Sequence, residues 1–131
     1  MSTRYQADDT LRDWIIEIRR SIHQFPELSY QEFVTSEYIC TKLEELGISY
    51  EKGIAQTGVV ARFGKQDGSP RVAIRADMDA LPLEEKTGLP FMSRNPGIMH
   101  ACGHDGHVAM VLGAAAILSK IDLEGSVVLL F

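Results

Sequence analysis

The sequence predicts an α/β protein in which a mainly parallel or mixed sheet is sandwiched between helices in three layers. Two observations carry that prediction. Two early stretches repeat apolar residues at helical spacing, and three later stretches, "GVVARFG", "RVAIRADMD" and "SVVLLF", are short runs of strand-forming residues. The last run is apolar throughout, as suits a strand in the middle of a sheet covered on both faces.

Taken in order, Thr10 is placed to cap a first helix, with Leu11, Trp14, Ile15, Ile18 and Ile22 following at helical spacing and Pro26 closing it. A second helix begins around Tyr30 to Glu32. Its apolar stripe is Phe33, Tyr38, Ile39, Leu43 and Leu46, and Gly47 stops it. "ISYEK" reads as a short strand. "GVVARFG" and "RVAIRADMD", joined by the turn "KQDGSP", read as a hairpin. Leu81 to His104 hold three prolines and three glycines, so they form a long irregular connection, and such loops in compact domains are usually functional. A buried helix follows from about Asp105 to Lys120, and then the apolar strand.

The 131 residues suit one domain with a real core; 45% are hydrophobic and 24% charged, the balance of a soluble globular protein. A net charge of −5 argues against nucleic acid as a partner. The one local basic pair, Arg19-Arg20, reads as a solvated helix face. The polar, acidic N-terminus is neither a signal nor a transit peptide, and "HVAMVLGAAAILS" is too short to span a bilayer. A cytoplasmic setting is expected, with Cys40 and Cys102 both as thiols.

Most of the chemistry is concentrated in "HACGHDGH", where three of the four histidines and one of the two cysteines fall within His100 to His107. Thiolate and imidazole are preferred ligands of borderline-soft divalent ions. Cys102 and His104 are close enough to grip one ion or an adjacent pair, with Gly103 allowing a tight fold between them. Asp105 stands where its carboxylate would cap the following helix. A glycine-rich turn with exposed histidines is the plainer alternative. A nucleophilic Cys102, activated by neighbouring imidazoles, is the competing chemistry. In "RADMDALPLEE", Asp77 and Asp79 alternate about Met78, so both carboxylates project to one face and call for a cation or a proton to relieve them.

"HQFPELSYQE", "AIRADMDALP" and "MHACGHDGHVAMVLGAA", in this order and spacing, resemble the dinuclear metallo-amidohydrolases of the aminoacylase-like exopeptidases. That branch includes hippurate hydrolases, N-acyl-amino-acid amidohydrolases and auxin-conjugate hydrolases. The resemblance runs from about Leu11 to the last residue. It implies the following: a zinc-exopeptidase-like catalytic domain of which residues 1–131 are the N-terminal portion, without the lid and dimerisation domain; two divalent ions, zinc or manganese; and a small N-acyl amino acid as substrate. It implies Cys102 and His104 as metal ligands and Asp79 as the carboxylate that supports the site. Asp77 stands where related peptidases carry a ligand histidine. His100, Asp105 and His107 belong to the motif without an implied ligand role, and His23 and Glu27 match an N-terminal signature of structural character.

In that family a glutamine-proline-alanine-glutamate-glutamate segment follows the "VVLLF" strand and supplies the general base and a further ligand. These 131 residues hold no such run. The expectation is therefore a fragment, inactive or nearly so alone. A non-catalytic metal-binding module and a cysteine-dependent hydrolase are the alternatives.

Overall fold

The computed structural model describes residues 8–67 and 70–131. Three helices, α1 (Asp9–Gln24), α2 (Phe33–Glu45) and α3 (His104–Leu118), pack with four strands, β1 (Tyr50–Ile54), β2 (Gly58–Gly64), β3 (Arg71–Arg75) and β4 (Ser126–Leu130). The α/β class and the mixed sheet are as expected. Among the described residues no helix is long and apolar enough to cross a membrane.

The cap of α1 differs from expectation. Asp8 rather than Thr10 supplies it, its Oδ1 accepting from the Leu11 amide at 2.7 Å. Asp8 sits just outside the helix with extended backbone, where a carboxylate meets both free amides and the positive end of the helix dipole. At α2 the amides of Val34 and Thr35 are taken from a distance by the Glu27 carboxylate, at 3.0 and 2.7 Å. The helix ends as read: Gly47 takes φ +68°, and Ile48 N and Gly47 N return to the carbonyls of Leu43 and Glu44. Phe33 leaves the expected apolar stripe, since it is exposed, and the inner face is built by Ile39, Cys40 and Leu43.

The sheet order is β1-β2-β4-β3, with β1/β2 and β2/β4 antiparallel and β3/β4 parallel. The expected hairpin between "GVVARFG" and "RVAIRADMD" is therefore not formed, because β4 lies between them. The physical reason is burial. β4 is the most apolar strand, and Val127 and Leu129 are buried, so it takes an interior seat with ladders on both sides. β3, the long connection, α3 and β4 then make one βαβ crossover, the usual way to join parallel neighbours. "RVAIRADMD" is strand only as far as Arg75.

Val59, Ala61, Val127 and Leu129 face the helices and join Ile18, Ile39, Leu43, Val108 and Leu112 in one core. On the opposite face Val60, Val128 and Leu130 are half-buried and Ala73 is exposed. A second helical layer of the expected sandwich would lie there.

The β4 entry depends on a glycine. A Cβ on Gly125 would sit 2.0 Å from the Pro70 carbonyl oxygen, a backbone atom with nowhere to go. A Cβ on Gly113 would instead meet the Ile15 side chain, Cδ1 at 2.6 Å and Cγ1 at 2.9 Å, which can shift where a backbone carbonyl cannot. Gly125→Ala should therefore cost about 1–3 kcal/mol in urea unfolding. Gly113→Ala should be nearly neutral, its crowding offset by up to about 1 kcal/mol of helix propensity.

Candidate metal centre

β3 and β4 run parallel and end side by side, with Ala76 N carrying the ladder one residue further to the Leu130 carbonyl at 2.9 Å. Beyond that edge the chain continues as Asp77-Met78-Asp79. Met78 turns into the core and the two aspartates turn out, as the alternation predicts. Both line a cleft of about 510 Å³ with His104, Tyr30, Thr57, Arg75 and Leu130 among its other walls. Tyr30 and Ala55, also in its lining, hold positive φ of 63° and 48°, strain of the kind that collects at functional sites.

His104 opens α3. Its Nδ1 lies 2.9 Å from the Asp79 carbonyl oxygen and 2.9 Å from Asp79 Oδ1. Both partners are acceptors, so Nδ1 carries a proton and donates it, which in the neutral ring leaves Nε2 as the nitrogen with the lone pair. This carboxylate-imidazole pairing is the arrangement that orients a ligand histidine. One helical turn on, His107 stacks on His104 with ring centroids 5.4 Å apart, and its Nδ1 lies 3.3 Å from Asp77 Oδ1. A hydrogen bond from its own backbone amide holds the Asp77 carboxyl below the usual range, against some burial and with help from His107. Donor atoms of Asp77, His104 and His107 all lie within 4.8 Å of one another, a spacing that fits one divalent ion. One carboxylate and two imidazoles also match a catalytic zinc's three protein ligands.

The sequence-predicted residues are thus only partly gathered. His104 meets Asp79, and Asp77, read in the sequence as calling for a cation, stands with His104 and with His107, which had no implied ligand role. Cys102 is a free, exposed thiol in the loop before α3 and is not one of those three. Among the described residues it is hydrogen-bonded to no histidine. Cys40 is also a free thiol, and it is buried.

Asp105 is a correction. The residue at the N-cap is Gly103, in the left-handed region, and no side chain caps α3. Asp105 is fully buried in the first turn instead, its Oδ2 accepting from His23 Nδ1 at 2.7 Å and from Arg19 Nε at 2.9 Å. The Arg19-Arg20 pair is likewise more than a solvated face: Arg19 reaches inward to this carboxylate, and both guanidiniums lie over Phe91. The other nitrogen of His23 meets Glu85 Oε1 at 3.1 Å. Burial raises the Glu85 carboxyl, but hydrogen bonds from the Thr87 hydroxyl, the Ser93 amide and His23 outweigh it and hold the group low. Arg19 and Glu85 were invisible to sequence reasoning, since their partners lie 86 and 62 residues away.

His100 is buried, and among the described residues neither ring nitrogen has a hydrogen-bond partner. Burial pushes its pKa from 6.5 to about 4. The unfolded chain therefore takes up a proton that the folded chain refuses. The contribution is complete above about pH 6.5 and disappears as pH falls toward 4. Its size is about 3 kcal/mol. Urea midpoints should fall over that window, and His100→Leu should flatten the slope.

The sequence model of peptidase family M20/M25/M40 matches residues 73–131, the span that holds the two aspartates and "HACGHDGH". Similarity to curated proteins runs through nearly the whole chain. The N-acetyl-L-cysteine deacetylase of Bacillus subtilis is 50% identical over 93% of this chain, which covers 30% of that protein. The IAA-amino acid hydrolase ILR1-like 5 of Arabidopsis thaliana is 48% identical over 91% of this chain, covering 28% of that protein. Among solved structures, the Bacillus subtilis YXEP protein, described as a dinuclear metal binding peptidase from the M20 family, superposes with a TM-score of 0.90 at 43% identity. The match covers 95% of this chain and 36% of that one. The chain thus spans about a third of the length of these relatives.

Proposed function

We propose that residues 1–131 are the N-terminal portion of the catalytic domain of a metal-dependent hydrolase that cleaves the amide bond of N-acyl amino acids or similar conjugates. The observation that carries this reading is His104, its Nδ1 locked onto Asp79 and its Nε2 free beside Asp77 and His107. His104, Asp77 and His107 would hold one divalent ion. The Cys102 thiolate, on the same loop, is proposed as a further donor to a two-ion centre, tilting the choice from manganese toward zinc. When bound, such ions polarise the scissile carbonyl and lower the pKa of a coordinated water.

The residues of this chain do the positioning. Asp79 fixes the tautomer and direction of His104, and Asp77 stays ionised to offer its oxygens. The cleft beside them, with Tyr30 and Leu130 in its walls, receives a small acyl substrate.

A graft tests this reading. The chain replaces the corresponding part of the Bacillus subtilis deacetylase, and hydrolysis of N-acetyl and aromatic N-acyl amino acids is followed. The expected hybrid hydrolyses them and stops with chelator or His104→Ala. Activity that resists chelator yet vanishes with Cys102→Ser would replace this reading with cysteine chemistry.

A further inference from the structure

Asp105 and Glu85 are buried carboxylates that lie outside the metal cluster, and His23 stands between them. A carboxylate oxygen stands on each ring nitrogen, so His23 bridges the two acids. Arg19 adds a positive charge at Asp105. The result is a line of bonded groups, Arg19–Asp105–His23–Glu85, tying α1, the first turn of α3 and the 81–104 connection at one point. Apolar residues of similar volume would hold these elements together as well or better, because desolvating charges is expensive. What apolar packing would not supply is direction.

Direction matters at Asp105. It follows His104 in sequence and lies in the same helical turn as His107, but it is buried in the protein while His104 lines the cleft and His107 stacks on it, exposed and beside Asp77. Pinning its Oδ2 to α1 by two bonds, of 2.7 and 2.9 Å, fixes the rotation of that turn about the helix axis. The first turn needs such a fixture: Gly103 before it is in the left-handed region and no side chain caps it. We propose that Asp105, held by His23 and Arg19, is a positioning residue that sets the rotation of the first turn of α3 and so aims His104 at Asp79 and His107 at Asp77. The inference rests on the metal reading for its purpose, but its geometry can be tested without metal.

Because Asp105 variants put the fold itself at risk, the test acts through Arg19, which is part-exposed and outside the cluster. Arg19→Gln removes one charged donor from Asp105, and Arg19→Lys keeps the charge. Imidazole nitrogen NMR spectra of the metal-free chain report the His104 Nδ1–H bond to Asp79, and cobalt(II) titration reports affinity. The expected result for Arg19→Gln is a native circular dichroism spectrum, a His104 signal shifted toward that of a free ring, and cobalt binding weakened roughly tenfold. Arg19→Lys should restore both. Unchanged His104 signals and unchanged affinity in Arg19→Gln would overturn the proposal. So would a loss that Arg19→Lys fails to reverse, since that assigns the effect to packing on Phe91. If the parent binds no cobalt yet its His104 signal still moves in Arg19→Gln, the positioning role stands and the metal reading falls.

Discussion

Asp105→Ala should lower the unfolding free energy by about 3–5 kcal/mol, the largest single-residue effect expected in this chain. The side chain is fully buried and accepts two charge-assisted bonds, and its removal leaves His23 Nδ1 without a partner in the interior. A buried pair broken from one side is what makes the loss large. Arg19→Gln takes away the part-exposed member of the same network, where water can replace the guanidinium, and should cost less than about 1 kcal/mol. Urea unfolding of both variants measures the difference. Equal midpoints would mean that Asp105 is not the centre of the network.

His104→Ala is the second large effect, and it falls on metal binding rather than on folding. His104 is part-exposed at the cleft, stacked on the exposed His107 ring, so the fold should survive. Without its Nε2 the cluster keeps Asp77 and His107, short of the usual three protein ligands. Affinity for zinc or cobalt should fall by more than the roughly 10–100-fold expected for Asp79→Ala, which removes only the group that aims the ring. Competition against a chromophoric chelator gives both values. An Asp79→Ala loss as deep as that of His104→Ala would make Asp79 a ligand in its own right.

Much of this was legible in the sequence because it is local. Helix ends follow from Pro26 and Gly47, and the buried α3 and interior β4 follow from unbroken apolar runs. The outward pairing of Asp77 and Asp79 about Met78 follows from strand alternation. The failures share one cause, a competition decided by residues far away. "GVVARFG" and "RVAIRADMD" look like a hairpin until a later and more apolar strand takes the place between them. Asp105 looks like a cap until His23 and Arg19, 82 and 86 residues earlier, draw it inward. His107 gained its place in the cluster through Asp77, 30 residues away, a pairing that no spacing within "HACGHDGH" encodes.

The central claim is that the cleft at the C-terminal edge of β3 and β4 is a divalent-metal site built around His104. Anomalous diffraction at the zinc edge, from crystals of the chain grown with zinc, tests it most directly. The account predicts a strong peak about 2.0–2.1 Å from His104 Nε2, with Asp77 among the other donors and Nδ1 still on Asp79. Zinc bound only elsewhere, or a His104 ring turned away from the peak, would contradict it.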